Sequence, residues 1–515
     1  MQLSLVPNAC EGAVADVYRS DLDVPARSAG PGGLGSVSPL GPFDRGLGAI
    51  LLVLLSAAAI GLGTGLEAKL GAAALAAIAV VLAVLLRPAV AVLTVVAVTP
   101  VICALKRGLI VPGLRPSEVL ITAVAAPVLI FAGSRVPVRW RLLDFMALAY
   151  VMGTFVLGAG DMLARGTALT SEMTGQLIGP LQYFLLYRSV VVALDTAELR
   201  RQAVRLLLLG SVPVSITALL QFFNVGPSRA LIKTLVKTIA LDGGVPRATG
   251  IMENWHSLGG YMLVTILLCA ALLLDTQQQV ISRRSLGVIL SFAAAAMTVA
   301  LTIGPVIGAI VGSIWLGAST GRSRKVIGWL AVGALAMVVL LGPFLTARLD
   351  QQFKTQVGQA SGSEGPTFLP QTVRYRIEIW KNDYLPLVSS NLLTGYGPGI
   401  PPNVNWRYTE MLYITLLLKG GVPLLVIYAG MMFAAWSLAR SLASSPLASP
   451  QDRCIAQVGL VLILLLVPMH IINPYFTNTG LAHPLWIIFG LVSGAAGRLG
   501  TSRAAWRTEE NVEPR

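Results

Sequence analysis

Three arginines, one carboxylate and a few aromatic or polar neighbours stand out as residues able to do chemistry. The segment Arg374-Tyr375-Arg376-Ile377-Glu378-Ile379-Trp380 places two guanidinium groups two residues apart. On an extended segment they share a face, and on a helix they point to different faces. A helix would also set Arg374 against Glu378 and Arg376 against Trp380 at a spacing of four, giving an ion pair and a cation–π contact. The sharper alternative is that one arginine grips a phosphate, which its planar fork of donors suits. Glu410, next to Arg407 and Tyr408, stands at the mouth of a long apolar run. It reads either as an acid complementing a helix N-terminus or as a general base activated by partial desolvation.

A second constellation is Arg247-Ala248-Thr249-Gly250-Ile251-Met252-Glu253-Asn254-Trp255-His256. Gly250 permits a sharp turn or a close approach of backbone, Asn254 is a helix N-cap, and Arg247 is a second phosphate-binding candidate. The plain alternative is an exposed arginine before an ordinary capped helix. The three histidines, His256, His470 and His483, all fall near ends of apolar runs. Each reads as a packing histidine or as a base. Metal-ligand spacings, phosphate-binding loops, dinucleotide fingerprints and nucleophile elbows are missing, so no metal site or cofactor is expected. The cysteines at 10, 103, 269 and 454 are scattered and read as small buried hydrophobes.

The elements that must position these residues are membrane helices. Of 515 residues, 55% are hydrophobic and 12% charged, and mean hydropathy is +0.75. Soluble domains carry about 25% charged residues. The fold class is therefore all-α and polytopic. Residues 1–45, rich in Gly, Pro and Ser, read as a disordered cytoplasmic tail. Apolar runs then follow from 46 to 497, at about 46–65, 70–86, 89–105, 117–133, 142–158, 177–194 and 203–223. The later ones lie at about 256–274, 286–302, 304–317, 326–345, 409–440, 455–472 and 481–497. This amounts to about fourteen spans, with 498–515 as a cytoplasmic C-terminal tail.

The net charge of +14 is divided among loops that alternate in sidedness. No ribbon of basic and aromatic residues is present, so nucleic acid is not an expected partner. Two longer loops, about 224–255 and 346–408, fall outside and are basic against the positive-inside rule. An anionic ligand at the outer leaflet explains them. The run 409–440 is longer than one hydrocarbon thickness. Lys419-Gly420-Gly421 and Pro423 interrupt it, which implies one crossing kinked at Gly-Gly-Val-Pro. Gly308 and Gly312 read as small-residue contacts between helices.

In this order the motifs resemble those of the O-antigen ligase / Wzy-type polymerase superfamily of bacterial envelope glycosyltransferases. The resemblance rests on Arg-x-Thr-Gly-x3-Asn (247–254) before a span and Arg-x-Arg-x3-Trp (374–380) inside a large late loop. It rests also on Leu-Leu-Thr-Gly-Tyr-Gly-Pro-Gly (392–399) and on an acidic position leading through apolar residues to Gly-Gly (410–421). It implies a GT-C-like membrane fold at the plasma membrane. The implied donor is a polyprenyl-pyrophosphate-linked glycan, used at the outer face without metal or nucleotide sugar, and the acceptor is a glycan or lipid hydroxyl. On this resemblance Arg247 and Arg374 or Arg376 hold the pyrophosphate and Glu410 is the base. Asn254, His256, Trp380 and Tyr408 support them. Glu410 stands where ligases often have His-Asn, which favours a polymerase of repeat units or a divergent transferase over a ligase. A lipid or glycan transporter, which would show charges at mid-membrane, is the alternative of a different class.

Overall fold

The computed structural model describes residues 84–109, 113–132, 140–166, 170–236, 247–275, 280–353, 371–398 and 409–510. The expected tail at 1–45, the first span, most of the second, and Arg407 and Tyr408 lie outside the described residues. The chain divides into two units, residues 1–61 and 62–515, and the described helices belong to the second.

The described residues are mostly helical and form no strand, as an apolar chain inside a bilayer requires. Every backbone N–H and C=O must there be satisfied within its own segment. Among the described residues seven helices are long and apolar enough to cross a membrane, and three shorter apolar helices accompany them. The helices up to the first candidate site are α1 (Pro88–Ile102), α2 (Pro116–Pro127, prolonged by a π turn at Val128–Ala132), α3 (Leu142–Ala164), α4 (Ser171–Ala193), α5 (Ala197–Phe222) and α6 (Ser228–Leu235). Next come α7 (Trp255–Leu274), α8 (Arg283–Ala300), α9 (Ile303–Ser319) and α10 (Ser323–Phe353). The late polar loop contributes α11 (Gln371–Ile379), a π turn at Trp380–Tyr384 and α12 (Leu385–Ser390). The chain closes with α13 (Leu412–Ala443), α14 (Pro450–Ile472) and α15 (Thr479–Glu510).

Burial sorts these helices into a centre and a ring. In α7, 94% of the apolar window is buried, and in α15 89%, whereas α3 and α13 bury 35% and 39%. A helix that is apolar all round belongs inside, and one with an exposed apolar face in this setting faces lipid. The two central helices touch through glycine. A Cβ on Gly260 would lie 2.9 Å from that of Leu481, and one on Gly480 would strike the Ser257 carbonyl. Gly308 and Gly312 of α9 likewise admit Met469, Leu263, Leu267 and Val461, as expected for small-residue packing without a hydrophobic drive between helices.

Polar contacts fall at the two ends of the bundle. At one end Arg200 pairs with Asp452 at 2.8 Å and Arg498 with Asp195 at 3.0 Å. At the other, Arg107 pairs with Glu118 and Arg115 with Glu253, each at 2.7 Å. Arg165 there donates to the Tyr396 carbonyl. The loop before α7 and the segment 371–398 gather at this second end. Asp144, in the first turn of α3, and Arg188, in the second half of α4, neutralise each other at 2.6 Å and are almost wholly buried. The Tyr187 hydroxyl donates to the same carboxylate at 2.6 Å. Cys103, Cys269 and Cys454 are free and buried.

The expected kink in α13 is present. Gly420 (φ −153°, ψ 17°) and Gly421 (φ 64°, ψ −163°) leave the helical region inside it. The freed backbone groups are taken up by the Leu392–Gly397 stretch. Tyr396 N–H donates to the Leu418 carbonyl at 2.6 Å, Gly397 N–H to Lys419 at 3.2 Å, and Val422 N–H to the Leu392 carbonyl at 2.8 Å. The glycines in both strands of contact are needed for the approach. A Cβ on Gly395 would sit 2.7 Å from the Gly420 nitrogen, and one on Gly421 2.5 Å from the Leu392 oxygen. A small separate core of Tyr384, Val388, Ile414 and Leu418 packs the loop helices against the first turns of α13. Gly421→Ala combines a disfavoured φ with a backbone clash. It should cost about 2 kcal/mol or more, read as a lowered thermal midpoint in detergent with retained helical circular dichroism.

Candidate active site

The first arginine motif is clamped rather than exposed. Gln221 on α5 accepts from the backbone N–H groups of Thr249 (2.8 Å) and Gly250 (2.7 Å) through its Oε1. Gly250 has φ +55°, and a Cβ there would lie 3.1 Å from backbone atoms of α5. The Ala248 N–H donates to Val299 at 3.0 Å. Asn254 then caps α7, accepting from Ser257 N–H at 2.8 Å. This fixes the start of α7. The Arg247 guanidinium lies 4.8 Å above the Trp255 ring, an arrangement that holds the cation without neutralising it.

The second motif approaches from the loop. Arg376, on α11, donates from Nε to Glu410 Oε2. Its side chain is 12% exposed and that of Glu410 34%. The expected cation–π pair with Trp380 is not formed. Trp380 sits on the π turn, and its indole N–H donates to the Thr409 carbonyl at 2.9 Å, fixing the backbone next to Glu410. The expected Arg374–Glu378 pair is not formed among the described residues either. Glu378 is exposed, while Arg374 Nε is buried and unpartnered. Both corrections follow from the docking of α11 on the α13 segment, which turns one face of the short helix inward.

Glu410 is not an acid of a helix first turn, which was one of its two readings. Helix α13 begins at Leu412 with Met411 as N-cap, and Glu410 precedes both with φ +49°. A non-glycine residue there is uncommon and persists where surrounding contacts dictate it. Here those contacts are the Trp380–Thr409 bond on one side and the ion pair to Arg376 on the other.

His256 joins the two motifs. Its ring packs edge-on against Tyr475, with centroids 6.1 Å apart, and beside Trp255 at 5.9 Å. The Arg376 charge acts on both His256 and the Tyr475 phenol. Burial pushes the Tyr475 hydroxyl well above the usual phenol range, with the Arg376 charge opposing it. Trp255 Nε1, His256 Nδ1, Thr302 Oγ1 and Arg374 Nε are buried without a hydrogen-bond partner among the described residues. Buried polar atoms are ordinarily satisfied, and Trp255 and His256, adjacent at the start of α7, each leave one open beside the Arg247 stack. The other histidines pack. His470 Nδ1 bonds the Tyr428 hydroxyl at 2.8 Å, and His483 Nδ1 the Thr479 carbonyl at 2.7 Å. Among the described residues no group of three His, Cys, Asp or Glu is arranged for a metal.

The structure thus brings Arg376, Glu410, Trp380 and His256 to one end of the bundle, with Arg247 above the neighbouring Trp255. Tyr408 lies outside the described residues. Sequence reasoning passed over Trp255 as a platform for Arg247, and also Tyr475, Thr302, Gln221 and the Arg115–Glu253 pair. Of these only Trp255 carried a local signal, as an aromatic residue inside the arginine motif.

Residues 286–429 match the family model described as O-antigen ligase (Wzy_C). That stretch is the part of the chain similar to the O-antigen ligase family. The superfamily indicated by the motifs is the one found. The matched stretch includes Arg374, Arg376, Trp380 and Glu410, and leaves Arg247, Asn254 and His256 before it. No curated protein matches the chain.

The Arg115–Glu253 pair braces the loop that carries Arg247. It is a two-pronged contact, at 3.0 and 2.7 Å. Arg115→Gln leaves a part-exposed carboxylate without its cation. After discounting for solvent screening, a loss of about 1–2 kcal/mol is expected, measurable as a shift in thermal unfolding that Glu253→Gln in the same chain partly restores.

Proposed function

We propose that this chain transfers a glycan from a polyprenyl-pyrophosphate carrier to an acceptor hydroxyl at the outer face of the plasma membrane, and that it polymerises repeat units. The O-antigen ligase match supports glycan transfer. The observation that carries the finer reading is the meeting of the loop arginine with a carboxylate, Arg376 with Glu410, at the end of the bundle where Arg247 stacks on Trp255.

The chemistry follows from those groups. The acceptor hydroxyl gives its proton to Glu410, and its oxygen attacks the anomeric carbon. The bond from that carbon to the diphosphate oxygen breaks, and the electron pair leaves with the diphosphate. A diphosphate leaving group needs no protonation to depart. Catalysis is then largely positioning and stabilisation of the developing negative charge. Arg247, Arg374 and Arg376 supply the positive charge that stabilises it, so the reading needs no metal. Asn254 sets the start of α7, His256 and Trp380 shape the site, and Tyr408 is assigned a supporting place next to Glu410.

In this reading the chain makes about fourteen crossings, with residues 46–497 as the transferase domain and loops 224–255 and 346–408 outside. Both termini, including the tails 1–45 and 498–515, lie in the cytoplasm. Ligation to a different lipid acceptor is the second reading, since the matched family is described as O-antigen ligase. A carboxylate at the base position favours polymerisation. The transporter alternative loses its support from charges within or at the edge of spans, because Asp144 and Arg188 satisfy each other.

Purified protein in proteoliposomes, given undecaprenyl-pyrophosphate oligosaccharide, should build a glycan ladder. A single addition to an unlike acceptor would mean ligation, and no transfer with authentic donor and acceptor would sink both. Arg376→Ala and Arg247→Ala should each slow transfer about 100-fold or more, and Glu410→Gln by a similar factor. Near-normal rates in both arginine variants would remove the pyrophosphate clamp. Reporter fusions at Arg515 and within 354–370 should report opposite sides of the membrane.

A further inference from the structure

The ion pair at the centre of the site joins two groups whose assigned tasks conflict. Arg376 is to hold the diphosphate, and Glu410 is to accept a proton from the acceptor. While Nε of Arg376 donates to Glu410 Oε2, the cation is partly spent and the carboxylate is held by its counter-ion. We infer that this pair is a donor-operated latch, in which the incoming diphosphate takes Arg376 from Glu410 and so releases Glu410 as the base. The inference rests on the proposed glycan transfer and adds its regulation.

The geometry favours Glu410 as the member that moves. Arg376 is the more buried partner, at 12% against 34% exposure. The backbone around Glu410 is pinned on the preceding residue. The Thr409 carbonyl accepts from Trp380, and the Thr409 and Thr415 hydroxyls bond each other. Helix α13 starts directly after Met411. Only the Glu410 side chain is left to pivot, from a backbone conformation that a non-glycine residue rarely adopts. Arg247 on its Trp255 platform and the unpartnered Arg374 Nε are not engaged by carboxylates among the described residues. They can receive the diphosphate before Arg376 changes partner.

A diphosphate carries more negative charge than one carboxylate and offers several oxygens to the guanidinium fork. It therefore competes well for Arg376. A carboxylate stripped of its cation and set beside an anion is a stronger base. Proton removal from the acceptor is thus tied to an occupied donor site. After transfer Glu410 holds the acceptor's proton. It passes that proton to water as the carrier diphosphate leaves, and closes again on Arg376. The pair keeps the base disarmed when only acceptor is present, which protects against unproductive binding of hydroxyl compounds.

The test is diphosphate affinity, measured with farnesyl diphosphate on the full chain in nanodiscs. If Glu410 competes for Arg376, Glu410→Gln binds farnesyl diphosphate about tenfold more tightly than the unaltered protein while transfer is lost. Glu410→Ala should show the same gain. Equal or weaker binding by both variants overturns the latch and leaves the transferase reading standing if the unaltered protein binds the diphosphate. Absence of farnesyl diphosphate binding to the unaltered protein and to both variants overturns the latch and the diphosphate clamp together. Should both variants fail to fold, infrared difference spectra of the unaltered protein decide the matter. Addition of farnesyl diphosphate must shift a glutamate carboxylate band, and an unchanged carboxylate region overturns the latch.

Discussion

A broken helix in an apolar layer must find partners for its freed backbone groups, and the arrangement of the end that carries the candidate site depends on how α13 does so. Leaving a buried N–H or C=O unpaired costs on the order of 1–3 kcal/mol. At Gly420 and Gly421 the chain cannot turn to water, so the polar loop is recruited to the break. Leu392, Tyr396 and Gly397 close the ladder that the glycines open. That docking seats α11 and α12 on the first turns of α13, brings Trp380 onto Thr409, and sets Arg376 against Glu410. The loop motif rich in glycine is thus a packing device as much as a functional one.

Charge follows the same economy elsewhere. Arg188, Arg200 and Arg115 each meet a carboxylate at 2.8 Å or less. Pairs of this kind hold the bundle's connections together and leave little for chemistry. Arg247 differs, since it rests on an aromatic face, and Arg374 differs, since its Nε is buried without a partner. Neither is paired with a carboxylate among the described residues. A site built to receive an anion needs cations that are held in place but not neutralised, and stacking on indole achieves this without a competing acid.

Much of the architecture was legible from the pattern of apolar runs. The kink at Gly-Gly-Val-Pro followed from a run too long for one bilayer, and the Asn254 cap from its residue type just ahead of an apolar stretch. The packing roles of Gly308, Gly312 and the buried cysteines followed from ordinary small-residue behaviour. Local spacing misled at α11. Residues four apart on a helix were expected to pair with each other, but a short helix docked against another segment takes its partners across the interface. Arg376 therefore chose Glu410, 34 residues away, over Trp380. Tyr475, Thr302 and Gln221 gave no signal, because their importance comes from which helices pack together.

Composition and periodicity by themselves determined that this chain is a helical membrane protein with its polar residues concentrated in a few loops. The reason is that hydrocarbon tolerates only internally satisfied backbone and few charges. Motif order was enough to indicate the family. Only the tertiary structure decided which polar residues meet. Ion pairs and hydrogen bonds act over a few ångströms, and the distances between Arg247, Arg376, His256 and Glu410 are set by helix packing and by the docking of one loop on a broken helix.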